Sequence, residues 1–389
     1  MISVQELKER FYREYPECKG DVLCFFSPGK VNLVGEHLDY NRGCLFPIAI
    51  SLGIYGVLSY RDDNIIRLKS VNETNEVIID LNKEINFDEN DGWGNYPKGI
   101  IYYILKDRHS LRGCDILFIS TLPSEVGLSS SAALEVLTAY MMLYSENGET
   151  LDRFYLAGLC QEVERDFIKA NWGHHDHIPI ILGRKNNGIV LNCSTQAYKY
   201  VPLDFKNYSL IIINSNKKRD LAHIGHKERQ IQCNSAFKTM NSYKNVENLW
   251  EADLDDIYRI MKEDTVISRA RHVIWENRRV LRAVELFEKG DIEEFGRLMI
   301  ESHKSLRDDF EVSTEELDLL VDESIKTDGC IGARMTGVGF GGCIIALVDR
   351  EKVENFKNRV AKVYTEKTKL VPEFYVSEIE DGVKLLLEA

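Results

Sequence analysis

Residues 122–136 read LPSEVGLSSSAALEV, and how this stretch is parsed decides what fold surrounds it. The preceding SLRGCDILFIS, residues 110–120, has strand character, and SSAALEVLTAYMMLYS beyond it favours a long, mostly buried helix. A strand therefore enters a glycine- and serine-rich turn and leaves as a helix whose first residues are Ser129, Ser130 and Ser131. Free N–H groups at such a start, with the helix dipole, suit a phosphate group. The hydroxyls add donors, and Ser131, nearest the helix body, is the candidate magnesium ligand. Plain serine capping of a core helix accounts for the same letters. The stretch is not a Walker loop, because GxxxxGK[ST] is absent.

Working outward, apolar spacing predicts a helix over 3–15. DVLCFFSPGKVNLVG reads as a strand interrupted by a Ser-Pro-Gly turn, followed by strands in GCLFPIAISLGIYGVLSYR and NIIRLKSV. LDRFYLAGLCQEVERDFIKA is a second helix after the serine-rich one, and GIVLNC and SLIIINSN are short apolar strands. Residues 253–325 are helix-rich; CIIALVDR, VENFKNRVAKVYTEKT and FYVSEI then read as strand, helix and strand. Turn and composition signals near 194–206 divide the chain into 1–200 and 201–389. There is no internal repeat and no low-complexity tract.

The 389 residues suffice for two domains, with 44% hydrophobic and 29% charged residues as in folded soluble proteins. A net charge of −13 argues against nucleic acid or anionic lipid as a partner. Nine scattered cysteines without a CxxC pair read as reduced thiols of a cytosolic protein. The charged N-terminus lacks a signal-peptide core, and no apolar run approaches the roughly 18 residues of a membrane span. A soluble, cytoplasmic protein is expected.

Two further stretches ask for an explanation. GARMTGVGFGGCIIAL, residues 332–347, places five glycines within eleven residues before a strand, which suits backbone passing close to something, or a tight structural turn. ANWGHHDHIPI, residues 170–180, sets His174, His175 and His177 around Asp176. Zinc is disfavoured, because three histidines so close in sequence do not converge easily on one ion. A solvated loop and a reaction centre built on Asp176 remain.

SPGKVNLVGEHLDYNRG (27–43), VGLSSSAALEV (126–136) and GARMTGVGFGG (332–342) resemble, in that order, the galactokinases of the GHMP small-molecule kinase family. GWGNYPKGI, NSNKKRDL and SHKSLRDDFEVSTEELDLLV are similar too, so the resemblance covers nearly the whole chain. It implies an α+β, two-domain GHMP kinase fold. The N-terminal domain would be ribosomal protein S5 domain 2-like and the C-terminal domain ferredoxin-like, with ATP and sugar between them. Gly127, Leu128, Ser129, Ser130, Ser131 and Ala132 would wrap the phosphates, and Gly337 and Gly339 would line the cleft. Ser131 and Glu164 match the family's Mg2+ ligands. Asp176 takes the place of the catalytic base, with Lys30 as its cationic neighbour. Glu36, His37, Asp39, Asp176 and His226 fall at sugar-binding positions, where carboxylates and imidazoles suit a polyol.

Four departures from the family pattern stand out. Lys30 replaces an arginine, keeping the charge without the planar fork. His174, His175 and His177 replace isoleucine, methionine and glutamine around the base. His226 replaces a sugar-contacting tyrosine, and Glu125 replaces a glycine of the phosphate loop, where a carboxylate repels phosphate unless it points away or meets the cation. The expected activity is phosphorylation of the anomeric hydroxyl of D-galactose by MgATP. The imidazoles raise a hexuronate as an alternative acceptor, beside N-acetylgalactosamine; a non-catalytic sugar and ATP sensor is the reading of another class. No obligate protein partner is evident.

Overall fold

The computed structural model describes residues 2–123, 126–147, 151–169, 175–219 and 222–388, with the side chains of 145–147 left aside. Strands β1 (Leu23–Val34), β2 (Cys44–Tyr60), β3 (Ile65–Ser70), β4 (Val77–Asp80), β5 (Cys114–Ser120), β6 (Asn187–Asn192) and β7 (Tyr198–Pro202) lie in a larger sheet. β8 (Tyr208–Asn214), β9 (Cys330–Met335), β10 (Cys343–Asp349) and β11 (Glu373–Ser377) form a smaller antiparallel one in the order β11-β8-β10-β9. The last strand, β12 (Lys384–Leu386), returns to the larger sheet, whose main path is β12-β1-β2-β5-β3-β4. The chain thus leaves the first sheet between Pro202 and Tyr208 and re-enters it at Lys384.

β1, β2 and β5 are apolar at successive positions because both sheet faces are covered. Phe25 and Ile54 enter the main core, whereas Cys24, Phe26, Tyr55 and Val57 pack against Leu7 and Phe11 of helix α1 (Val4–Glu14) and its C-cap residue Tyr15. The Ser-Pro-Gly segment does not interrupt β1 as the sequence suggests. The strand runs through it, with a register shift between Pro28 and Lys30. β12 pairs with Cys24–Phe26, so among the described residues β1 has no partner strand on that side beyond Phe26, and the missing Pro28 N–H costs no ladder bond.

Helices α2 (Asn95–Lys106), α3 (Ser130–Asn147) and α4 (Arg153–Glu162) pack together over the larger sheet, and α4 continues into a π-helical turn, Val163–Ile168. The short α5 (His177–Leu182) packs on α3 and α4. Beyond β8 come α6 (Ala222–Lys244), α7 (Leu254–Ile260), the 26-residue α8 (Asp264–Lys289), α9 (Ile292–Asp308), α10 (Glu315–Ile325) and α11 (Val353–Thr368). α9 and α10 cover β9, while α8 touches β1, β2 and β7 as well as α6 and α9, and so ties the two layers together.

α8 also fixes the turn between β1 and β2 from beneath. Glu276 accepts the Gly35 N–H at 2.8 Å and Asn277 accepts that of Cys44 at 2.8 Å. His272 Nε2 lies 3.2 Å from the Glu36 carbonyl. These contacts anchor both ends of the polar loop 35–44 in a buried, mostly apolar setting, where each side-chain acceptor spares a backbone donor from going unpaired.

Candidate active site

The anchored loop opens into a cleft of about 590 Å3 lined from both layers. Lys30, Glu36, His37, Asp39, Gly127, Ser129, Ser130, Ser131, Asp176, His226 and Gly337, all expected from sequence, border it. Asn32, Tyr96, Lys218, Arg219 and His223 border it too, and sequence reasoning had not assigned them roles. The run Lys217-Lys218-Arg219 in a chain of net charge −13 was the available signal for two of these.

Asp176 stands at the N-cap of α5 with its carboxylate turned to the cleft. Lys30 Nζ lies 2.7 Å from Oδ1, and Ser129 donates its hydroxyl to Oδ2 at 2.6 Å. Burial pushes this carboxyl up, but the Lys30 ammonium and the two hydrogen bonds outweigh it and hold it below the usual carboxylate range. The reciprocal balance holds for Lys30. Burial pulls it down, while Asp176, Glu36 and Asp39 more than compensate and keep it charged. Ser129 reaches Asp176 from a left-handed backbone, φ +59°, at the end of the serine loop. The result is an ionised carboxylate facing a polar cleft.

Glu36 is held by the opposite layer. Its Oε1 accepts from the Thr336 hydroxyl and the Gly337 N–H, both at 2.8 Å, with the buried Arg334 Nη1 at 3.5 Å, and Oε2 accepts from Asn32. One carboxylate thereby joins the β1–β2 loop to the glycine-rich turn while still bordering the cleft. His37, also left-handed at φ +63°, puts Nδ1 3.0 Å from the Tyr40 hydroxyl and its ring 5.8 Å from that of His226. Burial holds both imidazoles below their ordinary range, His37 strongly so, and this keeps them neutral near pH 7.

The glycine-rich turn approaches the serine loop rather than standing apart from it. A Cβ on Gly337 (φ +79°) would lie 3.1 Å from the Gly127 carbonyl, and one on Gly342 (φ +84°) 2.6 Å from that of Val126. Gly339 packs on the Val312 carbonyl instead and is not part of the cleft wall. Leu128 and Ala132 are buried in the main core, so any contact of theirs with a ligand would come from the backbone. Glu125 and His174 lie outside the described residues.

Glu164 is on the π-helical turn behind the cleft wall, with its side chain 9% exposed. Burial, with Glu135 and Asp176 nearby, pushes it up to about 8, His177 opposing. A cation close by would favour its ionised form. Its carboxyl and the Ser131 hydroxyl are each hard oxygen donors of the kind Mg2+ takes. His177 is fully buried, its Nε2 2.7 Å from Glu135 Oε2 and 3.9 Å from Glu164 Oε1. Glu135, Cys160 and His177 bring ligand-type atoms within 4.8 Å of one another, but a hydrogen bond already spans Glu135 and His177.

Residues 9–60 match the galactokinase galactose-binding signature, 95–184 the GHMP kinases N terminal domain, and 283–366 the GHMP kinases C terminal model. The chain is 43% identical to a galactokinase of Clostridium tetani over 384 residues, 98% of this chain and 97% of that protein. It is 43% identical to a galactokinase of Ligilactobacillus salivarius over 93% of this chain and 95% of that protein. Among solved structures, Lactococcus lactis galactokinase complexed with galactose superposes with a TM-score of 0.91 at 36% identity, covering 98% of this chain and all of that one. Methanococcus jannaschii mevalonate kinase, at 21% identity and a TM-score of 0.69, shares the fold.

Proposed function

The chain belongs to the galactokinase family of GHMP kinases, and we propose that it transfers the γ-phosphoryl group of ATP to the anomeric hydroxyl of D-galactose, yielding galactose 1-phosphate and ADP. The observation that carries this reading is the Asp176 carboxylate. It is held ionised by Lys30 and Ser129, in one cleft with the serine-rich helix start and the Glu36–Asp39 loop.

The N–H groups at the start of the 18-residue α3 receive the nucleotide phosphates. Asp176 orients the anomeric hydroxyl. As the new bond forms between that oxygen and the γ-phosphorus, the bond to the β,γ-bridging oxygen breaks, its electron pair leaves with ADP, and the hydroxyl proton passes to Asp176. A carboxylate held below the ordinary range is a weak base, so it accepts the proton only once the hydroxyl oxygen is well bonded to phosphorus, as a loose phosphoryl transfer requires. Lys30 offsets charge on the moving phosphoryl group while keeping Asp176 ionised. Ser131 and Glu164 would hold Mg2+, which when bound neutralises phosphate charge.

Asp39 and Glu36 accept hydroxyls of the sugar, and the neutral His37 and His226 supply further polar contacts without a fixed charge. A hexuronate would call for cationic imidazoles, so burial of these two favours the neutral sugar. In this reading residues 1–200 supply phosphate loop and base, and 201–389 supply the facing wall, apart from the returning β12. No described helix is long and apolar enough to cross a membrane. Release of ADP measured over galactose, galacturonate, N-acetylgalactosamine and glucose tests the proposal. Galactose should give the highest kcat/KM, and a better rate with any other of the four would displace it.

A further inference from the structure

Helix α5 is six residues long and begins at His177, immediately after Asp176. The anchorage of its first turn therefore decides where the base stands, since so short a helix contributes little stiffness of its own. Besides Ile178 and Ile180 in the apolar core, its polar anchorage is His177, wholly buried, with Nε2 2.7 Å from Oε2 of the equally buried Glu135 on α3. Glu135 is four residues beyond Ser131, which puts it one turn beneath that residue on the same face of α3. The same two segments meet again at the cleft, where Ser129 donates to Asp176. Two contacts in parallel thus join the phosphate-binding helix to the base helix. The upper one must accommodate a substrate hydroxyl; the lower one lies out of the cleft.

We infer that His177, braced on Glu135, is a positioning residue that sets the distance between Asp176 and the phosphate-binding start of α3. The inference rests on the reading of Asp176 as the base. His177 and Glu135 do not border the cleft, so removing the brace leaves the cleft-lining groups in place and acts chiefly on the geometry of transfer; His177 also lies 3.9 Å from Glu164, so the Mg2+ dependence of each variant is followed alongside. Reacting atoms need to stand about 3–3.5 Å apart, and a displacement of about 1 Å costs on the order of 10²-fold in rate. The family pattern carries glutamine at this position, and its amide, with a similar reach, can hydrogen-bond the same Glu135 oxygen.

The test compares H177A, H177Q, E135A, E135Q and H177A/E135A, with D176N as reference, by kcat and KM for galactose and for ATP together with thermal unfolding. H177A should lower kcat by roughly 30- to 100-fold with both KM values within about threefold of the parent. H177Q and E135Q should stay within about fivefold of parental kcat. E135A should match H177A, and the double variant should be no slower than either single one, because each removes the same contact. Parental kcat in H177A, equal impairment in H177Q and H177A, or additive losses in the double variant would overturn the inference. Should H177A and E135A not fold, H177Q and E135Q decide, a loss above tenfold in either being fatal. An active D176N would instead remove the base reading on which the inference stands, whatever the His177 variants do.

Discussion

Asp176→Asn isolates the chemistry assigned to the base while disturbing little else. The amide can turn its oxygen to Lys30 and its nitrogen to the Ser129 hydroxyl, which accepts as well as donates, so both present contacts have a successor. Lys30 keeps Glu36 and Asp39 as nearby anions. The fold and the phosphate loop should therefore survive, whereas the proton acceptor is gone. General-base assistance of this kind amounts to about 10²–10⁴-fold, or about 2.7–5.4 kcal/mol of barrier at about 1.36 kcal/mol per decade. The loss should appear in kcat and kcat/KM alike, because proton transfer belongs to the transition state. Single-turnover formation of galactose 1-phosphate measures the step directly, and equilibrium binding of ATP supplies the control. D176N turning over within threefold of the parent would refute the role. So would a slow variant whose ATP affinity had dropped more than about tenfold, since the defect would then lie in nucleotide binding.

Four further outcomes follow from the same geometry. Lys30→Met leaves burial as the main influence on Asp176. Its pKa, now depressed, should rise, and the acid limb of the kcat/KM profile should move upward in pH; an unmoved limb would mean that Lys30 does not set the base. The sign for stability agrees: a depressed folded-state pKa stabilises above the ordinary carboxylate range, and this contribution fades as pH falls through the folded value. Ser131→Ala and Glu164→Gln should each raise the Mg2+ concentration needed for half-maximal rate while galactose affinity, followed by calorimetry, stays near parental; unchanged Mg2+ dependence in both would place the ion elsewhere. Galactose should outperform galacturonate in kcat/KM at every pH from about 6 to 8.5, because burial keeps His37 and His226 neutral there, and a galacturonate preference that fades as pH rises would show charged imidazoles instead. Gly342→Ala combines a φ of +84° with a Cβ 2.6 Å from the Val126 carbonyl, so it should cost at least about 1–2 kcal/mol and raise KM for ATP, and an unchanged melting temperature would argue against the close approach.

Much of this protein can be read from the linear chain. The serine-rich turn and its helix follow from composition and spacing, because N-terminal donors and apolar periodicity are local properties. Motif order led to Asp176, Lys30 and the Glu36–Asp39 loop as a set, and these residues do border one cleft. The short contacts are another matter. Glu36 meets Thr336 and Gly337 some 300 residues away, Gly342 leans on Val126, and β12 completes β1 across more than 350 residues. His177 reads as one of three clustered histidines, yet it turns inward to Glu135, while Pro28 reads as an interruption yet sits inside a continuous strand. Local propensity reaches about one helical turn along the chain. Which carboxylate faces a cation, which imidazole is dry and neutral, and which glycine touches another backbone depend on packing between layers, and only the tertiary structure decides them.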